Sequence, residues 1–240
     1  MKTRLDRLIV ERGLVESREK AQALIMAGEV RVNGQKASKS GQPVDEDCVV
    51  ELLSRPPYVS RGGHKLAGAV AHFGIDLAGL VCVDIGSSTG GFTDVMLQNG
   101  AARVHTVDVG VGQLDWKLRT DARVVMHEGV NAREIAPEVI GEAADFLSCD
   151  VSFISVTMIL PAITALLRPA GQMVILIKPQ FEVGRGQVGK GGIVRDPLLH
   201  QAACEKVDRA VQEIGFQTAM MESPIAGAEG NKEFLLYARH

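Results

Sequence analysis

Asp84 ends an apolar run, LVCVD, and the glycine-rich turn IGSSTGG follows it at once. Backbone amides in such a turn can meet a ligand, and Gly86, Gly90 and Gly91 leave room for close approach. The turn lacks the Gly-Lys-Ser/Thr ending of a phosphate-cradling loop and the G-x-G-x-x-G spacing of a dinucleotide site. A second acid, Asp108, ends the next apolar run, RVHTVD, about 24 residues later. An acid at that point of a strand–helix–strand unit accepts hydrogen bonds from ribose hydroxyls. Together these residues point to a phosphate-free ligand with a ribose, a positive charge and an amino group, the last two facing Asp84. S-Adenosylmethionine fits. The expected contacts are Asp84, Gly86, Ser87, Ser88, Thr89, Gly90, Gly91, Phe92 and Asp108, with Asn131 after the third strand. The competing reading is an ordinary tight strand-to-helix turn, against which the two acids and three glycines argue jointly. Phe92 also suits a core position on the following helix, and that reading is favoured.

Further along, Asp150 follows the strand-like run ADFLSC and precedes the apolar turn SFIS, where an acid is costly unless it is used. Lys178 ends the strand-like run QMVILI; a lysine there is ordinarily a solvated charge. Glu182, Arg185 and Lys190 fall in a glycine-rich segment that reads as a mobile lid. Trp116 reads as packing, and His64 as an exposed loop residue.

These residues need a scaffold. From residue 66 onward strand-like and helix-like segments alternate, which predicts an α/β fold with a doubly wound, Rossmann-like sheet. Helices are expected at KLAGAVAHFG, TGGFTDVMLQNG, near Trp116, from NAREIAPEVI, at SVTMILPAITALL and at PLLHQAACEKVDRAVQEIG. FQTAMMESPI and KEFLLYARH should close the chain as an antiparallel edge hairpin. Before residue 58, LDRLIVER and SREKAQALIMA read as two short helices, with Ser17 as N-cap and Gly28 as terminator. EVRVNGQKA carries the hairpin signal Asn33-Gly34, and CVVELL is a further strand. The segment from Ser54 to Lys65, with Pro-Pro and Gly-Gly, reads as a linker. The resulting division is a small α+β domain over 1–58, a linker over 59–65 and a large domain over 66–240.

Composition narrows the class. Residues 1–65 carry 12 Lys+Arg against 9 Asp+Glu, whereas the rest carries 14 against 20. A mildly basic head on an acidic body suits a polyanion at the head. Arg4, Arg7, Arg18, Lys20, Arg31 and Lys36 are its candidate phosphate contacts, with Arg61 in the linker. The opposing reading is a solvated helix face paired with Glu11, Glu16 and Glu19. Few aromatics accompany these cations, so backbone and shape recognition of folded RNA is expected. No apolar run reaches bilayer length, no signal peptide is read, and four scattered cysteines imply reduced thiols, without disulfides or a zinc site. The expected setting is cytoplasmic, with no membrane partner.

VDIGSSTGGFTDVML resembles the first motif of the FtsJ-like methyltransferases. YVSRGGHKL, SCDVSFIS, LIKPQFEVGRGQVGKGGIVRDP and GNKEFLLY together resemble the TlyA family of rRNA 2′-O-methyltransferases, whose members are often called hemolysins. The resemblance covers essentially the whole chain and makes the head similar to an S4-type RNA-binding domain. It implies a Lys–Asp–Lys–Glu catalytic set that falls on Lys65, Asp150, Lys178 and Glu233, with Asp150 also facing the methionyl part of the cofactor. It further implies methylation of a cytidine 2′-hydroxyl in rRNA within ribosomal subunits. The absence of a C-terminal extension resembles the shorter members, which act on 23S rRNA; longer ones also act on 16S rRNA. A membrane-lytic protein, a non-catalytic RNA-binding module and a base methyltransferase are the competing readings. Where a base methyltransferase commonly carries N-P-P-[YF], this chain reads DVSF.

Overall fold

The computed structural model describes residues 2–15, 17–53 and 57–240. Ser54, Arg55 and Pro56 of the expected linker, and Glu16 among the expected acidic partners, lie outside the described residues. Two compact units meet at the Pro57–Tyr58 boundary.

The smaller unit holds β1 (Lys2–Arg4), α1 (Leu5–Glu11), α2 (Arg18–Ala27), β2 (Val30–Val32), β3 (Gln35–Lys36), β4 (Pro43–Asp45) and β5 (Val50–Leu52). β1 pairs with β4, and β2 lies between β3 and β5. Ser17 caps α2 by accepting from the Lys20 amide, and Gly28 ends it in the left-handed region at φ 74°. Leu5, Leu8 and Ile9 of α1 pack with Ala21 and Ile25 of α2 and with Val30, so helical spacing on both helices builds one core.

The larger unit begins with α3 (Gly63–Phe73), then runs β6 (Val81–Ile85), α4 (Gly91–Gln98), β7 (Arg103–Asp108), α5 (Trp116–Arg119), β8 (Val124–Glu128), α6 (Pro137–Ile140) and β9 (Ala144–Cys149). It continues through α7 (Leu160–Thr164), β10 (Leu167–Ile177), α8 (Pro179–Glu182), α9 (Pro197–Glu213), β11 (Gln217–Glu222) and β12 (Phe234–Arg239). The seven-stranded sheet has the order β11-β12-β10-β9-β6-β7-β8. The five strands from β10 to β8 are parallel, and β12 and β11 form an antiparallel edge.

Strict alternation covers both sheet faces. Val83, Ile85, Leu147, Cys149, Ile175 and Leu236 point into one core, and Cys82, Phe146, Val174, Leu176 and Leu235 into the other. No described helix is long and apolar enough to cross a membrane.

Three elements differ from their sequence reading. The helix expected from Asn131 is only the four-residue α6, because it starts at Pro137 and stops at Gly141, φ 79°. The helix expected over SVTMILPAITALL is a 3₁₀ turn, Val156–Met158, followed by α7, with Pro161 at the start of α7 denying the amide a continuous helix would use. The Gly62-Gly63 pair does not extend the linker to residue 65. α3 begins at Gly63, so Lys65 lies in its first turn and His64, exposed, is helical rather than in a loop.

Candidate active site

The crevice opens where the strand order reverses, between β6 and β9, a position that gathers ligands in sheets of this type. Gly86 follows β6 at φ 79°, and a Cβ there would lie 2.2 Å from the Asp150 carbonyl oxygen. Only glycine lets the two strand ends converge so closely. Gly90, φ 93°, faces Leu114 and Leu118, and a Cβ on Gly91 would strike Ser60 and the Gly63 amide. The turn is thereby wedged between α5 and the start of α3.

Asp84 is fully buried. Its Oδ2 accepts from the Thr93 amide (3.0 Å) and hydroxyl (2.6 Å), and its Oδ1 from the Ser148 hydroxyl (2.9 Å). The acid expected to face a ligand's positive charge ties α4 and β9 to the turn with its carboxylate, and it also borders the small space at that turn. Burial pushes its carboxyl up to about 6, against the pull of the Thr93 and Ser148 hydrogen bonds.

Asp108 ends β7 as expected, accepting from the Ser88 amide (2.8 Å) and the Gly110 amide (2.7 Å). It lines a cavity of about 380 Å³ together with Gly86, Ser88, Val130, Asn131, Asp150 and Phe153. A smaller space of about 120 Å³ shares Gly86, Ser88 and Asp150 with it, and adds Ser60, Asp84, Ser87, Thr89 and Gly91. Phe92 borders that space but is 3% exposed and packed with Val95 and Met96, in line with the core reading. The shared lining makes one continuous crevice. It is largely apolar at the Asn131 end and rich in amides and hydroxyls at the turn, a lining suited to a nucleoside with a polar tail. Among the described residues, no group of three or more His, Cys, Asp or Glu side chains is placed to hold a metal ion.

The sheet register brings three of the four lysine and carboxylate residues to one edge. Asp150 follows β9 and Lys178 follows β10. Phe234 pairs with Ile177, so Glu233 stands opposite Lys178 where that antiparallel ladder ends. Lys65 joins from α3. Two ion pairs result: Lys178 Nζ to Asp150 Oδ1, and Lys65 Nζ to Glu233 Oε2, each 2.6 Å. The second is the more deeply buried, with side chains 8% and 2% exposed. A Cβ on Gly227 would sit 2.0 Å from Glu233, so that glycine leaves the carboxylate its place. Lys178 also donates to Ser152 Oγ (2.8 Å).

Phe153 carries no signal in the sequence reading. It is 91% exposed at the cavity rim, holds φ at 65°, and lies 5.2 Å from the Phe181 ring. A left-handed phenylalanine is costly and persists only where its surroundings force it. Trp116 was expected to pack and is instead 75% exposed, because Leu118, not Trp116, is the α5 residue turned inward. Glu182, expected in a lid, is buried and hydrogen-bonded to Ser155 and Val156.

In the head, Arg4 and Arg18 both bind Asp6 Oδ2, at 2.9 and 3.1 Å, and Gln22 donates to the same oxygen. Arg7 pairs with Glu11 at 2.7 Å. The main partner is thus Asp6, which the sequence reading did not weigh. Lys20 lies on α2, and Arg31 and Lys36 are exposed on β2 and β3. In the larger unit, Arg61 donates to the Ala226 carbonyl (3.1 Å).

The family model of the FtsJ-like methyltransferases matches residues 58–240, and that of the S4 domain matches residues 3–50. Over 241 residues the chain is 46% identical to the 16S/23S rRNA (cytidine-2′-O)-methyltransferase TlyA of Mycobacterium tuberculosis, with 99% of this chain and 90% of that protein covered. It is 34% identical over 249 residues to the 23S rRNA (cytidine-2′-O)-methyltransferase TlyA of Campylobacter jejuni, covering 95% and 96% respectively. A solved structure from Streptococcus thermophilus, named as a hemolysin, matches with TM-score 0.76 at 45% identity, over 99% of this chain and 88% of that one.

Proposed function

The chain belongs to the FtsJ-like methyltransferases and, within them, to the TlyA family, and from that premise we propose that it methylates the 2′-hydroxyl of a cytidine ribose in 23S rRNA. The observation that carries the reading is the Lys178–Asp150 pair, 2.6 Å apart, whose carboxylate lines the same crevice as Asp108. The large subunit is favoured because 23S rRNA is common to the names of both relatives, whereas 16S rRNA appears in only one.

S-Adenosylmethionine supplies an electrophilic methyl group on a sulfonium, so the protein needs no metal to create a leaving group. Asp108 would accept from its ribose hydroxyls, and Asn131 with Val130 would border its adenine. The amides of the turn from Gly86 to Gly91 take the methionyl tail. Asp84 holds that turn in shape from behind.

Lys178 orients the ribose hydroxyl and stabilises the negative charge that develops on its oxygen. Asp150 fixes the ammonium and would face the methionyl part of the cofactor. Glu233 and Lys65 hold the neighbouring strand end and α3 against it. Alignment of hydroxyl and methyl in a line is the main demand of such a displacement, and fixed ion pairs meet it. Phe153 offers an exposed ring to the base of the incoming nucleotide, in keeping with stacking on splayed-out RNA bases. In the head, Arg4, Arg7, Arg18, Lys20, Arg31 and Lys36 contact rRNA phosphates, and Arg61 adds a contact from the body.

Tritiated-methyl transfer from S-adenosylmethionine to purified 50S and 30S subunits tests the proposal. Label should enter 50S, and Lys178→Ala should slow it by about 10²–10³-fold with cofactor affinity kept. Label on 30S as well would extend the substrate to 16S rRNA; no label on either, with cofactor bound, would overturn the reading.

A further inference from the structure

We infer that Glu182, held in place by Lys206, is a positioning residue for the Lys178–Asp150 pair. The inference rests on the reading of Lys178 given above. Two segments leave adjacent strand ends, the loop 150–156 after β9 and residues 178–183, which hold α8, after β10. They are fastened to each other twice. The first fastening is the site itself, where Lys178 meets Asp150 at 2.6 Å and Ser152 Oγ at 2.8 Å.

The second lies at the far end of both segments. Glu182 Oε1 accepts from the Val156 amide (2.7 Å), and Oε2 from the Ser155 hydroxyl (2.5 Å). Val156 opens the 3₁₀ turn, so its amide has no partner within that turn, and Glu182 supplies one from another segment. Lys206, on α9, donates to Glu182 Oε2 (3.0 Å), to the Glu182 carbonyl (2.9 Å) and to Ser155 Oγ (3.0 Å). The Glu182 side chain is 3% exposed, whereas that of Lys206 is 43% exposed. A buried carboxylate with this many partners is expensive to disturb.

Between the two fastenings stands Phe153, with its φ of 65°. Ser152 is fixed from one side by Lys178, and Ser155 and Val156 from the other by Glu182. A strained residue survives only when both flanks are over-determined. Releasing the Glu182 side lets the loop relax toward ordinary backbone angles. Ser152 and Asp150 then lose their fixed distance from Lys178. Glu182 reaches neither the large nor the small part of the crevice, so its effect on the reaction passes through the two segments.

The test compares the wild type with Glu182→Gln, Lys206→Met and Lys206→Arg in the full chain. Single-turnover methyl transfer to 50S subunits, S-adenosylmethionine affinity by calorimetry, and hydrogen exchange of residues 150–156 are measured on each. Glu182→Gln and Lys206→Met should slow single turnover by about 10- to 100-fold, the cost of a small misplacement at a reacting centre, while cofactor affinity stays within about threefold. Exchange in 150–156 should quicken, and Lys206→Arg should restore most of the rate that Lys206→Met loses. If the variants only melt earlier and turn over at the wild-type rate while folded, Glu182 is structural and the inference falls. A wild type that methylates nothing sinks the function proposed above instead. The exchange arm then decides the inference, which unchanged exchange in Glu182→Gln overturns.

Discussion

Asp6 in the head and Glu233 in the body are both fully buried carboxylates held by cations, and they differ in where the cations sit. The Arg4 and Arg18 side chains that hold Asp6 are 53% and 51% exposed, whereas Lys65, which holds Glu233, is 8% exposed. In the head the buried acid works as an anchor that fixes two guanidiniums at the surface. Arg4 spends Nε and Nη2 on it and keeps Nη1 for something else. In the body both charges are hidden, and the pair spends its whole interaction on itself. One arrangement leaves charge at the surface and the other hides it to fix geometry.

Breaking the body pair should give the larger effect. Glu233→Gln leaves Lys65 charged and nearly without water, and a buried pair broken on one side typically costs about 3–5 kcal/mol. Urea unfolding should read that loss. Replacing both partners, Lys65→Met with Glu233→Leu, should recover most of the stability, since the desolvation cost disappears along with the attraction. If the single and double variants are equally unstable, the pair is held by packing and the contrast with the head fails.

Asp84 gives the next effect and a pH dependence with a definite sign. Its carboxyl rises from 3.8 to about 6 on folding. The native state therefore holds the proton more tightly than the unfolded chain does. Its contribution to stability is complete below pH 3.8 and is lost as pH rises through about 6, reaching a deficit of about 3 kcal/mol above it. Asp84→Asn keeps an acceptor for Thr93 and can donate to Ser148. It should match the wild type near pH 3.5 and exceed it by up to about 3 kcal/mol near pH 8. A stability difference that does not change with pH would show that folding leaves the proton affinity of Asp84 unchanged.

Asp84 also marks what the sequence could and could not say. The turn was legible because steric rules act locally: Gly86, Gly90 and Gly91 are required where another segment comes within a Cβ radius. The strand ends at Asp108 and Asp150 were legible from alternation and from the cost of an acid beside apolar residues. The direction of the Asp84 carboxylate was not, because it depends on Thr93 on one side and, on the other, on Ser148, which lies 64 residues from Asp84 in sequence. Lys65 looked like linker because Gly-Gly reads as a break, yet the pair serves the close approach to Tyr58 and α4. Phe153 was invisible for the same long-range reason. Its backbone is set by Lys178 and Glu182, which come from the following strand end.

The head should show the smallest change in stability and the clearest change in binding. Arg18 is half exposed, and Asp6 retains Arg4 and Gln22 after Arg18→Ala. With the cation half in solvent and the buried acid still held by two other partners, the loss should be less than about 1 kcal/mol, so unfolding should barely move. A guanidinium on a phosphate is read differently: each one lost releases one fewer counterion. The slope of log affinity against log salt for rRNA should therefore fall by about one. Asp6→Asn sharpens the point, since it leaves both guanidiniums in place and removes only what aims them. The guanidinium of Arg4, more than any other group, holds the Asp6 carboxyl well below the usual range, so that charge persists throughout the pH range of ribosome work. Affinity in Asp6→Asn should drop with the salt slope retained, because the cations are still present but no longer fixed in direction. A slope that falls as far as in Arg18→Ala would mean that the charge of Asp6 governs whether the arginines reach the phosphates, and that the head stores geometry as the body does.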